Sequence, residues 1–255
     1  MDISFQKQAG ETSLGVDFFW RLEVHSNRVV TFTDKFIPDL YFDYFFVDKG
    51  AVRYRDHGTK KSVSLSQQAL KFLHTHPLVL EFSTPIVLYG ARLSLNFASM
   101  FWGEMTVNSI LEHRWAGNKV SGIRDFSSQI KDHIRKHKSN KFPRTLLSKN
   151  LKEADWLTHY SARHKRRIYQ NALGVSRKDI VNVKNLHIFL EQTCDFGNQS
   201  PRIIEHVTPD VFYDQPHLNH AFKKMTGLSP VEYFEHNSIL QDNLMSASYN
   251  ENDAD

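Results

Sequence analysis

The chain has 255 residues, 40% of them apolar and 24% charged, with 11 Gly and 8 Pro, a globular composition that is neither fibrous nor disordered. A single cysteine, Cys194, cannot close an internal disulfide, which excludes a disulfide-stapled fold. The net charge of +4 is unevenly spread: residues 1–110 balance at zero, residues 111–180 hold 17 basic against 6 acidic side chains, and residues 181–255 hold 4 against 11. A basic block of that kind either faces a polyanion or forms a solvated surface.

No run approaches the roughly 18 consecutive apolar residues of a membrane helix. The opening Met1-Asp2-Ile3-Ser4-Phe5-Gln6 lacks the basic-then-apolar order of a signal peptide, so a cytoplasmic protein without membrane contact is expected. From about Asp17 to Phe97, short apolar runs rich in aromatic and β-branched residues recur, as in Phe18–Val24, Asp39–Val47 and Ile86–Leu93. Asp48-Lys49-Gly50 and Asp56-His57-Gly58-Thr59 punctuate them like turns, and the whole reads as a meander of strands forming a sandwich or barrel. The period then changes. Val120, Ile123, Phe126, Ile130 and Ile134 form one stripe of an amphipathic helix, which either pairs with a second copy of the chain or packs on its own β-rich domain. A polar stretch, His137–Pro143, suits a linker, and only helical spacing follows until an acidic tail at 241–255.

The most specific feature is a self-similarity at an offset of 53 residues. Ser161-Ala-Arg-His-Lys-Arg-Arg-Ile-Tyr-Gln-Asn-Ala-Leu-Gly174 aligns with Asp214-Gln-Pro-His-Leu-Asn-His-Ala-Phe-Lys-Lys-Met-Thr-Gly227. Each copy opens on a small capping residue, holds His at its fourth position and an aromatic at its ninth, and closes on Gly, which can adopt the left-handed turn ending a helix. Each reads as a helix of about three turns, the second helix of a helix-turn-helix.

The segment Phe212-Tyr-Asp-Gln-Pro-His-Leu-Asn-His-Ala-Phe-Lys-Lys-Met-Thr-Gly-Leu-Ser-Pro-Val-Glu-Tyr233 closely resembles the C-terminal signature of AraC-type transcription regulators. Ser161, Arg163, Arg167, Tyr169 and Gly174-Val175-Ser176 resemble that family's first motif, and the likeness spans about Phe142 to Phe234. Departures occur at Val211, Pro216 and His220, and in the first motif at Lys165 and Arg177. The resemblance implies a sequence-specific regulator that binds double-stranded DNA. It further implies contact with RNA polymerase, a small-molecule effector in the N-terminal domain, and a homodimer.

It also places base-reading positions at Arg163, Arg166 and Arg167 on the first helix, which fall at i, i+3 and i+4 on one face. Arginine can fork to guanine or clamp phosphate, and the alternative is a plain charged surface. On the second helix Gln215, Pro216, His217, Asn219 and His220 occupy the matching face. Gln and Asn suit adenine, Lys223 suits phosphate, and His217 either reads bases or supports the helix packing. Phe212, Leu218, Phe222 and Leu228 read as core, and Ile180–Leu190 resembles the helix linking the two modules.

In the N-terminal half, His74-Thr-His76 with Glu81 resembles part of a cupin metal motif, but Gln68 stands where a Gly is expected and no second motif follows. A cupin-like domain without metal is the expectation, with no cofactor and no catalytic residues; a cupin-type metalloenzyme using His74, His76 and Glu81 is the alternative. The expected architecture is α+β: a cupin-like β-rich domain over 1–118, a connecting or dimerisation helix and linker over 119–141, an all-α domain with two helix-turn-helix units over 142–240, and the tail.

Overall fold

Alternation of apolar residues builds strands whose central members bury both faces of one sheet. A computed structural model describes residues 2–55, 60–100, 107–137, 154–193 and 215–234, and in it eight antiparallel strands come from the first 112 residues. They are β1 (Asp2–Glu11), β2 (Val16–His25), β3 (Thr31–Phe36), β4 (Phe42–Arg55), β5 (Ser62–Ser64), β6 (Gln68–Lys71), β7 (Leu78–Leu93) and β8 (Ile110–Glu112). The order is β1-β2-β7-β4-β6-β8; β3 pairs with the first part of β7 and β5 with the end of β4. Helices α1 (Leu95–Met100) and α2 (Ile123–His137) follow, and then α3 (Ala162–Leu173), α4 (Arg177–Thr193), α5 (Gln215–Thr226) and α6 (Pro230–Phe234). Among the described residues, no helix is long and apolar enough to cross a membrane.

Two cores follow from the period of two. Phe18, Trp20, Leu22, Phe45, Val47, Leu80, Phe82 and Leu88 share the inner face, while Phe19, Phe42, Tyr44, Phe46 and Tyr89 share the other. That second face is covered by the stripe of α2, with Phe126, Ile130 and Ile134 fully buried and Phe126 edge-on to Phe19. The stripe thus packs on the β-rich part of its own chain, one of the two arrangements that its spacing allows. A hydrogen bond from Gln8 to Ser127 (2.9 Å) and an ion pair between Arg135 and Glu11 (2.8 Å) fasten the edge of the helix to β1.

The runs at Phe18–Val24 and Ile86–Leu93 lie within β2 and β7. The turn expected at Asp48-Lys49-Gly50 is absent: β4 runs through it. The register against β7 slips between Val47 and Lys49 and again between Lys49 and Ala51, so the punctuation marks bulges, not a reversal. Gly50 adopts φ +86°, and a Cβ there would lie 2.5 Å from the Pro85 carbonyl oxygen. The second expected turn, at 56–59, lies outside the described residues, as do the acidic tail and most of the expected linker.

One inner-face feature is ionic. Asp43 on β4 lies opposite Lys71 of β6 and Arg92 of β7, and all three are buried. Lys71 Nζ reaches Asp43 (2.8 Å) and Asp39 (3.3 Å), while Arg92 reaches Asp39 (2.6 Å) and Asp43 (3.1 Å). Burial alone would raise the pKa of Asp39, but Lys71 and Arg92 outweigh it and hold the carboxyl well below the usual range. Removing one member strands the rest, so Asp43→Asn should cost about 3–5 kcal/mol in denaturant unfolding. A second substitution tests the packing between strands. Gly90 lies opposite Trp20, and a Cβ there would fall 2.1 Å from the indole ring. Gly90→Ala should therefore cost about 1–3 kcal/mol, measured as a fall in melting temperature.

Candidate nucleic-acid interface

Helix α3 begins where the sequence places it. Ser161 is its N-cap and accepts a hydrogen bond from the His164 backbone N–H (3.3 Å). Gly174 closes it at φ +73°, its N–H donating to the Gln170 carbonyl (3.0 Å). Tyr169, Ala172 and Leu173 are buried in the same apolar cluster as Phe97 and Trp115, so α3 is held by the β-rich part of the chain. That fixes the opposite face outward. Arg163, Arg166 and Arg167 are all exposed along it, and among the described residues no carboxylate pairs with any of them. Three guanidinium groups thus share one face with no carboxylate among the described residues to neutralise them, and guanidinium groups so placed can attract an anion.

Two aromatic groups extend this face that the sequence alone did not single out. Tyr160 stacks on His164 (4.6 Å between centroids, 11° between planes), and His164 Nδ1 lies 3.1 Å from Arg167 Nη2. Trp156 meets Tyr160 edge-on. The signal was present as Trp-x-x-x-Tyr-x-x-x-His, positions four apart leading into the helix. Lys165, where the resembled family has an apolar residue, is half-buried.

Helix α4 carries two kinds of contact. Ile180 near its start joins the cluster of α3, whereas Leu186, Phe189 and Leu190 join that of α5. Its start is fixed by a reciprocal cap, with Asp179 accepting from Ser176 N–H (3.0 Å) and Ser176 Oγ accepting from Asp179 N–H (3.2 Å). On α5, Leu218, Phe222 and Met225 are buried, and Phe222 sits edge-on to both Phe189 and Tyr233. Leu228 is half-buried, and Phe212 lies outside the described residues. Gln215, Pro216, Asn219, His220 and Lys223 are exposed. His217 falls within α5, but its side chain is outside the described residues. Gly227 closes the helix at φ +76°, its N–H donating to the Lys223 carbonyl (2.9 Å). The helices that would precede α3 and α5 across their turns fall at 138–153 and 194–214, outside the described residues.

The second module also touches the β-rich part through the segment before β4. Ile37 is buried among Leu186, Leu218 and Phe222, and His187 of α4 lies 2.8 Å from the Pro38 carbonyl oxygen. Burial lowers the pKa of His187, with Arg92 acting the same way, and the Pro38 carbonyl and Asp39 oppose that shift only in part.

The metal-like motif is not assembled. His74 and His76 sit in the connection between β6 and β7, not on alternate strand positions, whereas Glu81 lies within β7 between Thr33 and Arg53. His74 Nδ1 is engaged by the Phe72 carbonyl (2.7 Å), and burial, reinforced by Lys71, pushes its pKa down to about 3. Among the described residues no three His, Cys, Asp or Glu side chains come together as a metal site requires. Gln68, in the place of the expected Gly, is buried on β6 and accepts a hydrogen bond from the Tyr44 hydroxyl.

No protein-family model matches the sequence, and neither does any curated protein. Among solved structures, ToxT from Vibrio cholerae is similar at 10% identity, over 91% of this chain and 98% of that one, with a TM-score of 0.43. ToxT bound to (E)-4-(8-methylnaphthalen-1-yl)but-3-enoic acid gives 13% identity, the same coverage and 0.43. The cupin domain of an XRE-family transcriptional regulator from Enterobacter cloacae gives 11%, over 36% of this chain and 97% of that one, with 0.26. With TM-scores below 0.5, these likenesses carry no weight in assigning a function.

The two faces of each helix predict opposite phenotypes. Arg163→Ala and Arg166→Ala should leave unfolding free energy within about 0.5 kcal/mol of the parent, as exposed substitutions do. Phe222→Ala should cost about 3–5 kcal/mol, and urea unfolding followed by circular dichroism separates the cases.

Proposed function

We propose that the chain is a cytoplasmic, sequence-specific DNA-binding transcription regulator of the AraC type, acting by binding and not by catalysis. One observation carries the reading. A motif repeated in the sequence corresponds to two helices, each capped by the expected glycine and buried on its apolar side, with a polar face turned to solvent. The face of α3 bears Arg163, Arg166 and Arg167, and that of α5 bears Gln215, Pro216, Asn219, His220 and Lys223, with His217 on the same helix. In this reading each helix enters the major groove, the first gripping backbone and guanine, the second reading adenine through Gln215 and Asn219. The eight-stranded unit is a cupin-like sensing domain that takes a small-molecule effector. The chain acts as a homodimer and contacts RNA polymerase.

Charge separates the two modules. The first lies in the segment with 17 basic and 6 acidic residues, the second in that with 4 and 11. Each phosphate neutralised on duplex DNA contributes about 0.9 to the slope of log affinity against log salt. Selection from a random double-stranded pool should first yield a preferred site. On that site, replacing Arg163, Arg166 and Arg167 together by Ala should flatten the salt slope by about 2–3 and weaken binding by about 1–3 kcal/mol per specific contact. Gln215→Ala or Asn219→Ala should alter base preference and leave the slope nearly intact. Titrations across salt on selected and random DNA check this; no selected site, or equal slopes for parent and triple variant, overturns it.

A further inference from the structure

Four aromatic rings are stacked in series from the buried sheet to solvent at the end of α2. Tyr44, fully buried on β4, stacks on Trp115 with 4.6 Å between centroids and 5° between planes. Trp115 stacks on His133 (5.4 Å, 18°), and His133 on His137 one helical turn further on (4.1 Å, 24°). Trp115 is buried, His133 half-buried and His137 exposed. The Tyr44 hydroxyl accepts from the backbone N–H groups of Trp115 (3.2 Å) and Ala116 (3.3 Å), so the inner half of the column is held by the sheet. The outer half, His133 and His137, is carried by the last turns of α2.

We propose that this column is a proton-sensitive clasp, in which protonation of His133 releases the C-terminal turns of α2 from the β-rich unit. The groups acting on His133 are His137 and Lys136 on its own helix and His113 on the loop after β8, and each disfavours a positive charge there. Burial acts first and in the same direction, and together they push the imidazole down to about 4 from the usual 6.5. An imidazolium is attracted to an indole face, but weakly where water reaches it. The folded-state pKa is therefore below that of the released state, and the released state binds the proton more tightly. The clasp is complete above about pH 6.5 and weakens as pH falls toward about 4. Because α2 leads into the connection with the helical unit, the clasp governs how the β side of that connection is anchored. None of this depends on the chain binding DNA.

The test uses the full chain, with amide exchange over residues 128–137 and tryptophan emission followed from about pH 7.5 to about pH 5. After correction for intrinsic exchange, protection of that segment should fall about tenfold in the parent at the acid end, with a change in indole emission. His133→Phe keeps a ring in the stack and removes the titration, so protection should stay the same at both ends; His133→Gln serves if the Phe variant does not fold. Trp115→Phe should abolish the emission change and keep the exchange response, and His187→Gln should behave as the parent. Unchanged protection in the parent, or a parent-like response in the His133 variants, overturns the clasp.

Discussion

Asp43 is carried into the interior by strand register, and much at that end of the sheet serves to keep its charge from standing alone. It lies between Lys71 and Arg92 on the neighbouring strands, and Asp39, three residues before β4 starts, completes a neutral set of four. Tyr41 adds its carbonyl to Lys71 (3.1 Å) and its ring to the face of Arg92 (4.0 Å). Such a set is a poor source of net stability, because desolvation offsets most of the attraction. Its effect is positional. With Asp39 and Tyr41 tied inward, Ile37 and the Pro38 carbonyl are turned toward α4 and α5, where they meet the helical core and His187.

On helices α2 and α3 the division is the opposite one: apolar faces are consumed within the chain and polar faces are left outside. Helix α2 spends Phe126, Ile130 and Ile134 on the sheet, and α3 spends Tyr169 and Leu173 on the cluster around Phe97 and Trp115. What remains exposed on α3 is polar for the most part: Arg163, Arg166 and Arg167, with Gln170 and Asn171. A helix seated in this way keeps its exposed side chains on a fixed frame, so little backbone freedom is left to lose on any contact they make.

Much of this was legible from periodicity. The alternation at Phe18–Val24 and Ile86–Leu93 marks strands, the spacing from Ile123 to Ile134 marks α2, and the repeated Gly174 and Gly227 mark helix ends. The bulges at Lys49 and Gly50 were not, because a turn and a bulge draw on the same residues. The ionic set was hidden for a different reason. Asp39, Asp43, Lys71 and Arg92 are scattered through apolar runs, and only the pairing of β4 with β6 and β7 gathers them. The column from Tyr44 to His137 likewise joins rings 93 positions apart in the chain. On α3 and α5 the residue types were legible, but their exposure depended on which side the core took.

The apolar cluster that joins the sheet to α3 sets a limit on how the protein can be divided. Phe97 and Trp115 on one side and Leu157, Tyr169 and Leu173 on the other belong to a single buried body, and Ile37 is shared in the same manner with Leu218 and Phe222. A fragment cut within 138–153 would carry half of each contact into water, exposing large aromatic surface on both pieces. The two halves are separate in sequence pattern but not in solubility, and evolution could not exchange one of them without repairing the surface of the other.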